Sequence, residues 1–305
     1  MDRPRQLVPC VIVLVAATCL AACAIGPAAS GGDGRPSVVA AENVWGSIAA
    51  QLGGGRVRVV SIIRNPNADP HDYEPTTADA RLMASARFVI VNGIGYDPWA
   101  DRLLAANPVP GRDVLDVGKL IGVPAGGNPH RWYSPRDVQR VIDAITAEYR
   151  KLDPKDASGF DQRRQYFDRT GLAGYHRLIS EIRSKYAGTT VGASESVFAL
   201  MAPALGLHLL TPPSFLSAIS EGTEPTAADK AAIDRQISSH QIEVYVYNSQ
   251  NATPDVQRQI EEARNAGIPI ATITETLVPA GASFQTWQVR ELQDLAKALA
   301  HAMGR

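Results

Sequence analysis

Beyond Cys23 the chain contains no cysteine: Cys10, Cys19 and Cys23 account for all three. That absence removes an internal disulfide framework, a thiolate metal site and a cysteine nucleophile from the folded body. An excess of either charge is also missing. Thirty Lys and Arg stand against 31 Asp and Glu, a formal net charge of −1, whereas a nucleic-acid binder normally shows a basic excess or stripe. No His-Glu-x-x-His motif is present, and Gly192-Ala193-Ser194-Glu195-Ser196 lacks the second glycine of a nucleophile elbow. Both facts weigh against a hydrolase, whether metal-dependent or built on Ser194 or Ser196. What remains is ordinary globular material, 45% hydrophobic and 20% charged over 305 residues, enough for about two domains.

The N-terminus accounts for the crowded cysteines. Arg3 and Arg5 precede an apolar run from Leu7 to Ala22 broken by Pro9, shorter than the ~20 residues that span a bilayer and typical of a signal-peptide core. It ends in Leu20-Ala21-Ala22-Cys23, which resembles the bacterial lipobox, where the cysteine is lipidated and becomes the first mature residue. The alternative is an ordinary cleaved signal with a chance cysteine. Pro27 to Arg35 is rich in Gly, Ala and Ser and suits a flexible tether. The expectation is a signal peptide over 1–22, a lipid on Cys23 and a tether over 23–36.

From Ser37 onward β-branched runs alternate with helical patterns. Val38–Ala41, Val57–Ile63 and Phe88–Val91 predict strands; 43–52, 77–86, 99–106 and 134–151 predict helices, with Asn43 as the first cap and Pro135 at a first helical position. The second half repeats the rhythm, with strands at Thr190–Ala193, Leu207–Leu210, Val244–Tyr247 and Ile268–Ile273. Its helices fall around 196–205, 226–239, 254–266 and 284–302, and Thr226 and Thr253 are helix-start caps. Strands alternating with helices imply two parallel-sheet α/β lobes, residues 37–150 and 187–305. Between them, apolar residues from Phe160 to Tyr186 recur at helical spacing. Residues 151–186 are therefore expected to form a long linker helix, although Gly171 and Gly174 weaken it and a kinked or two-piece helix fits as well.

Of six histidines, His176, His208, His240 and His301 have bland structural readings, the last two near helix ends where a cation complements the dipole. His71 and His130 differ. Each follows a proline in a loop, and both loops open on the same side of the inferred sheet, where open α/β sheets bind ligands. Glu195 and Glu275 follow strands of the second lobe. Two imidazoles and two carboxylates would form a mixed cage suited to Zn²⁺, Mn²⁺ or Fe²⁺. Solvated loop histidines and helix-start acids remain the competing reading.

Asp69-Pro70-His71-Asp72-Tyr73-Glu74-Pro75-Thr76 resembles the first metal motif of the TroA/ZnuA-like zinc/manganese-binding lipoproteins that serve bacterial ABC importers. Asn128-Pro129-His130-Arg131-Trp132-Tyr133-Ser134-Pro135 resembles the second, with Asn128 in place of the usual aspartate. Asn92-Gly93-Ile94-Gly95-Tyr96-Asp97-Pro98-Trp99 is similar to the family's segment after the third strand. The resemblance implies two lobes joined by a rigid helix, with metal held between them by His71, His130, Glu195 and Glu275; glutamate at the fourth position departs from the more frequent aspartate. The His- and Asp-rich loop of many zinc-specific members is missing. It further implies a receptor and not an enzyme, exported and lipid-anchored to the outer face of the membrane, monomeric, without nucleic acid. It would deliver its ion to an ABC permease and its ATPase. Zn²⁺ is slightly favoured, with Mn²⁺ possible. Two alternatives stand beside it: a metallohydrolase using the same cage, and an envelope adhesion lipoprotein with an incidental metal.

Overall fold

The computed structural model describes Met1 and residues 34–304; the expected signal peptide, Cys23 and the tether up to residue 33 lie outside the described residues. The first sheet is built from β1 (Ser37–Glu42), β2 (Arg58–Ile63), β3 (Phe88–Val91) and β4 (Asp113–Asp116), all parallel in the order β2-β1-β3-β4. Helices α1 (Asn43–Gly53), α2 (Thr77–Ser85) and α3 (Pro98–Ala106) connect its strands. After β4 come α4 (Val117–Ile121), α5 (Pro135–Leu152), α6 (Ala157–Tyr166) and α7 (Ala173–Tyr186).

The second sheet repeats the first. Strands β5 (Thr190–Ala193), β6 (His208–Leu209), β7 (Val244–Asn248) and β8 (Ile270–Ile273) are parallel in the order β6-β5-β7-β8. Helices α8 (Pro213–Ser220), α9 (Ala227–Ser238), α10 (Pro254–Asn265) and α11 (Phe284–Ala302) accompany them. In both sheets the winding direction reverses between the central strands, β1/β3 and β5/β7. The crevices beyond their carboxyl ends are where such sheets bind ligands.

Side chains alternate across each strand, so each sheet feeds two layers. Val38, Ala40, Phe88 and Ile90 face Trp45 and Ile48 of α1 and Val141, Ile145 and Tyr149 of α5. That cluster runs on through Trp132, Tyr133, Phe160 and Tyr175 to Val191, Val246, Phe284 and Trp287 of the second lobe. The two lobes therefore share one apolar core. Burial of a side chain such as Ile48, fully enclosed, contributes about 1.5–3 kcal/mol. The other faces pack separately, Val39, Val89 and Val91 on Met83 and Trp99, and Tyr245 on Phe215, Ile233 and Ile260.

Several local expectations are corrected. Asn43 is the first residue of α1 and not its cap; Glu42 occupies the cap position without a side-chain hydrogen bond. The helix expected over 196–205 is a 3₁₀ turn, Ser196–Leu200, because Pro203 has no N–H to continue it. Residues 151–186 do not form one uninterrupted helix. A 3₁₀ turn, Pro154–Asp156, precedes α6, and a π-helical turn, Phe167–Gly171, separates α6 from α7. Strand β4 and helices α4 and α8 carry no clear sequence signal. Ser134, Thr226 and Thr253 do cap α5, α9 and α10, each accepting the N–H three residues on. Among the described residues no helix is long and apolar enough to cross a membrane.

Candidate metal centre

Four loops at the carboxyl ends of the strands converge here. The β2–α2 loop carries His71, which Asp69 holds by accepting its backbone N–H at 2.9 Å. Thr76 and Asp79 close that loop with a capping box at the start of α2, and Tyr73 donates to the same Asp79 carboxylate at 3.0 Å. The segment between α4 and α5 carries His130, 1% exposed. Asn92, at the end of β3, donates from Nδ2 to the Pro129 carbonyl at 3.0 Å and accepts from Trp45 at 3.0 Å. This buried amide fixes the Pro129-His130 backbone.

The tautomer of His130 follows from its neighbours. Asn128 Nδ2 donates to the Ser196 carbonyl at 2.7 Å, so Asn128 Oδ1 is the atom 3.0 Å from His130 Nδ1. An amide oxygen only accepts, so Nδ1 carries the proton. The other ring nitrogen, Nε2, points at Glu275 Oε1, 3.2 Å away. Two lone pairs at that distance repel unless a cation or proton lies between them. Orienting a ligating imidazole through its other nitrogen is the usual outer-shell device of metal sites, and Asn128 performs it where the family more often has aspartate.

His71, His130 and Glu275 each offer one ligand atom, and these atoms lie within 4.8 Å of one another. His71 Nε2 is buried and has no hydrogen-bond partner among the described residues. An unpaired buried nitrogen is costly, and metal coordination is one way to satisfy it. Burial pushes the Glu275 carboxyl up, but the His130 hydrogen bond and charge, the Tyr96 hydroxyl and His71 together hold it below the usual carboxylate range.

Glu195 stands outside that group of three. It is 2% exposed, and its oxygens accept from Asn248 Nδ2 and, at 2.9 Å, Asn251 Nδ2. Burial and the neighbouring Glu275 charge push its carboxyl up to about 7, against the pull of His130 and the two amides. Ser196 Oγ approaches His130 Nδ1 at 3.3 Å. That nitrogen bears its proton toward Asn128 and has no lone pair to activate a serine, so Ser196 and His130 do not form a nucleophile–base pair. Ser194 Oγ accepts the Asn248 N–H at 3.0 Å and is likewise structural.

Tyr96 has no counterpart among the expected site residues. Fully buried, it donates to Glu275 Oε1 at 2.8 Å. It sits on the turn Gly93-Ile94-Gly95, whose backbone is left-handed at all three residues, Ile94 included at φ 63. A β-branched residue pays a steric cost there. The signal available in the sequence was the paired glycines before Tyr96 in the segment that follows β3.

Known proteins resemble this chain in sequence and fold. The manganese-binding lipoprotein MntA of Halalkalibacterium halodurans is 26% identical over 152 residues, 48% of this chain and 50% of the relative. The zinc-binding lipoprotein AdcA of Streptococcus pneumoniae is 22% identical over 295 residues, 86% of this chain and 56% of the relative. The chain thus spans about half the length of the curated relatives it matches. A Mn-bound point mutant of the periplasmic metal-binding protein from Candidatus Liberibacter asiaticus shares the fold, with a TM-score of 0.74 at 18% identity over 87% of this chain and 100% of that one. FpvC from Pseudomonas aeruginosa in complex with Mn²⁺ does so with a TM-score of 0.69 at 20% identity over 88% and 99%. The family model for zinc-uptake complex component A, periplasmic, matches residues 38–298, and the chain belongs to that family, ZnuA.

Proposed function

We propose that this protein is the extracytoplasmic receptor of an ABC importer, capturing a divalent cation between its lobes and delivering it to a permease driven by its ATPase. His71, His130 and Glu275 are the first three ligands, and Glu195 is the fourth once its carboxylate turns from Asn248 and Asn251 toward the ion. The observation that carries this reading is the convergence of His130 Nε2 and Glu275 Oε1, 3.2 Å apart, beside the buried and unpartnered His71 Nε2. Nitrogen and oxygen donors in this number suit Zn²⁺ or Mn²⁺. Two carboxylates make the set relatively hard, which favours Mn²⁺; the Irving–Williams order favours Zn²⁺, which we place slightly ahead. We further propose that residues 1–22 are removed and that Cys23 bears the lipid holding the monomer to the outer face of the membrane. Residues 37–150 and 187–305 then act as the two lobes, with 151–186 as the helical link.

Metal titration of chelator-stripped protein tests the site. His71→Ala and His130→Ala should each weaken Zn²⁺ and Mn²⁺ binding by more than the roughly 10–100-fold that loss of an outer-shell partner costs. Wild-type affinity in both variants sinks the assignment. Elemental analysis of protein purified without added metal, then competition between the two ions, decides which is the cargo.

A further inference from the structure

Between β7 and α10 the chain reads Asn248-Ser249-Gln250-Asn251-Ala252-Thr253, and three side-chain amides there face the metal centre. Asn248 and Asn251 hold Glu195. Gln250 acts elsewhere. Its Oε1 accepts the backbone N–H groups of Glu275 at 2.7 Å and Thr276 at 2.9 Å. Its Nε2 donates to Thr276 Oγ1 at 2.9 Å and to the Pro66 carbonyl at 2.6 Å. Backbone N–H groups can meet only the oxygen and a carbonyl only the nitrogen, so the amide's orientation is settled, and both donors and both acceptor positions are used.

These bonds join two loops that belong to different lobes. Glu275 and Thr276 follow β8, whereas Pro66 lies in the loop that carries His71. Among the described residues, no other hydrogen bond ties residues 64–76 to the second lobe. His130 is held differently, since Asn128 anchors its loop to the Ser196 carbonyl across the interface. His71 is thus the candidate ligand whose place relative to Glu275 depends on a single polar contact. That contact borders an open cleft of about 460 Å³, lined by the 66–72 segment on one side and by Gln250, Asn251 and Glu275 on the other.

We infer that Gln250 is a positioning residue that locks the His71 loop to the Glu275 loop and thereby sets how long the captured ion stays bound. This rests on the metal-receptor reading above. Release requires one ligand to withdraw. With the Pro66 bond intact, withdrawing His71 also breaks a hydrogen bond. Without it, the loop lifts alone, so dissociation accelerates while association changes little, the usual division of effects between the two rates.

Release from the full chain loaded with Zn²⁺, and separately with Mn²⁺, is followed after mixing with excess chelator, alongside hydrogen–deuterium exchange of the loaded protein. Gln250→Ala should release either ion about tenfold faster, equivalent to ~1.4 kcal/mol, and raise exchange in residues 64–76. Gln250→Glu keeps an acceptor for the Glu275 and Thr276 N–H groups but cannot donate to Pro66. It should release faster than wild type despite its added negative charge, again with exchange raised in 64–76. Wild-type release in both variants overturns the inference. Faster release with unchanged exchange in 64–76 does so too, because Gln250 would then act within the second lobe alone. His71→Ala and Glu275→Gln serve as controls: wild-type equilibrium affinity in both would overturn the receptor site itself, whereas weakened controls beside wild-type release in the Gln250 variants sink only the positioning role.

Discussion

Tyr96 of the first lobe donates its hydroxyl to Glu275 Oε1 of the second at 2.8 Å, with its ring edge-on to both imidazoles, 4.8 Å from His71 and 5.8 Å from His130. One phenol therefore touches the three residues whose ligand atoms converge. Its burial and the Glu275 charge raise the hydroxyl's pKa well above the ordinary value, so it remains a donor throughout the physiological range. Tyr96→Phe removes only that donor. The variant should fold normally and bind metal about 10–100-fold more weakly, as expected for an outer-shell partner. Competition against a chromophoric chelator measures this, and an unchanged affinity would show that the hydroxyl does not orient Glu275.

Asn128 offers a paired test. Asn128→Ala frees His130 Nδ1 and cuts the tie to the Ser196 carbonyl, so metal affinity should drop about tenfold or more. Asn128→Asp keeps an acceptor and adds charge behind the imidazole, making Nε2 a stronger donor. It too loses the donor to the Ser196 carbonyl, but its affinity should lie above that of the alanine variant, which loses both contacts. The reverse ranking, with alanine tighter than aspartate, contradicts the tautomer assigned to His130.

Glu291 underlies the Thr274-Glu275 turn, accepting from Tyr133 at 2.6 Å and from the Thr274 N–H at 2.7 Å. Burial nevertheless pushes its carboxyl up to about 8. A carboxyl whose folded pKa lies above its unfolded value binds more protons when folded. Its stabilising contribution is complete below the unfolded value of ~4.3 and is lost as pH rises through the folded one. Metal-free protein should therefore melt at lower temperature as pH climbs from about 5 to 8, and Glu291→Gln should flatten that slope. Thermal melts in chelator across this range decide it; an identical slope in the variant refutes the role. Metal binding should run the other way, because protons compete with the ion for Glu195, whose carboxyl is pushed up to about 7, so the metal-induced rise in Tm should grow with pH.

Gly93→Ala probes how Tyr96 is aimed. At φ 68, a Cβ on residue 93 would lie 2.4 Å from Asp116 Oδ1, the oxygen that caps α4 by accepting the Lys119 N–H at 2.9 Å. The substitution should cost about 1–3 kcal/mol of stability and weaken metal binding through displacement of Tyr96. Denaturant melts and titration together check it. Wild-type values for both would mean that the turn adapts without moving the phenol.

Local signals carried the parts of the fold that depend on neighbours in the chain. Phe88–Val91 is a continuous β-branched and aromatic run and forms β3 without a shift of boundary. Thr226, Thr253 and Ser134 cap their helices because a hydroxyl three residues before an N–H reaches it whatever the rest of the molecule does. Strand β4 gives little local signal because Asp113 and Asp116 flank only two apolar residues, and as an edge strand it is held mainly by pairing with β3. The link after α5 was legible as helical, and Gly171 marked the place of its main break, but the form of that break was not legible. Its π turn packs Phe167 into the shared core, a choice made by the core and not by the local sequence.

Composition and short-range pattern were enough to set the class of protein: a cysteine-free body with only nitrogen and oxygen for metal ligands, two α/β halves, and two Pro-His loops, one after a strand and one before a helix. A single chain displays these properties directly, because each depends on residue types and on near neighbours. It took the folded chain to establish that Tyr96 touches both imidazoles and Glu275, that Asn248 and Asn251 hold Glu195 aside, and that Gln250 bridges Pro66 to Glu275. Each of these sets joins residues distant in sequence, 179 apart for Tyr96 and Glu275. Their proximity arises only when the two sheets close over a common apolar core, which no spacing along the chain encodes.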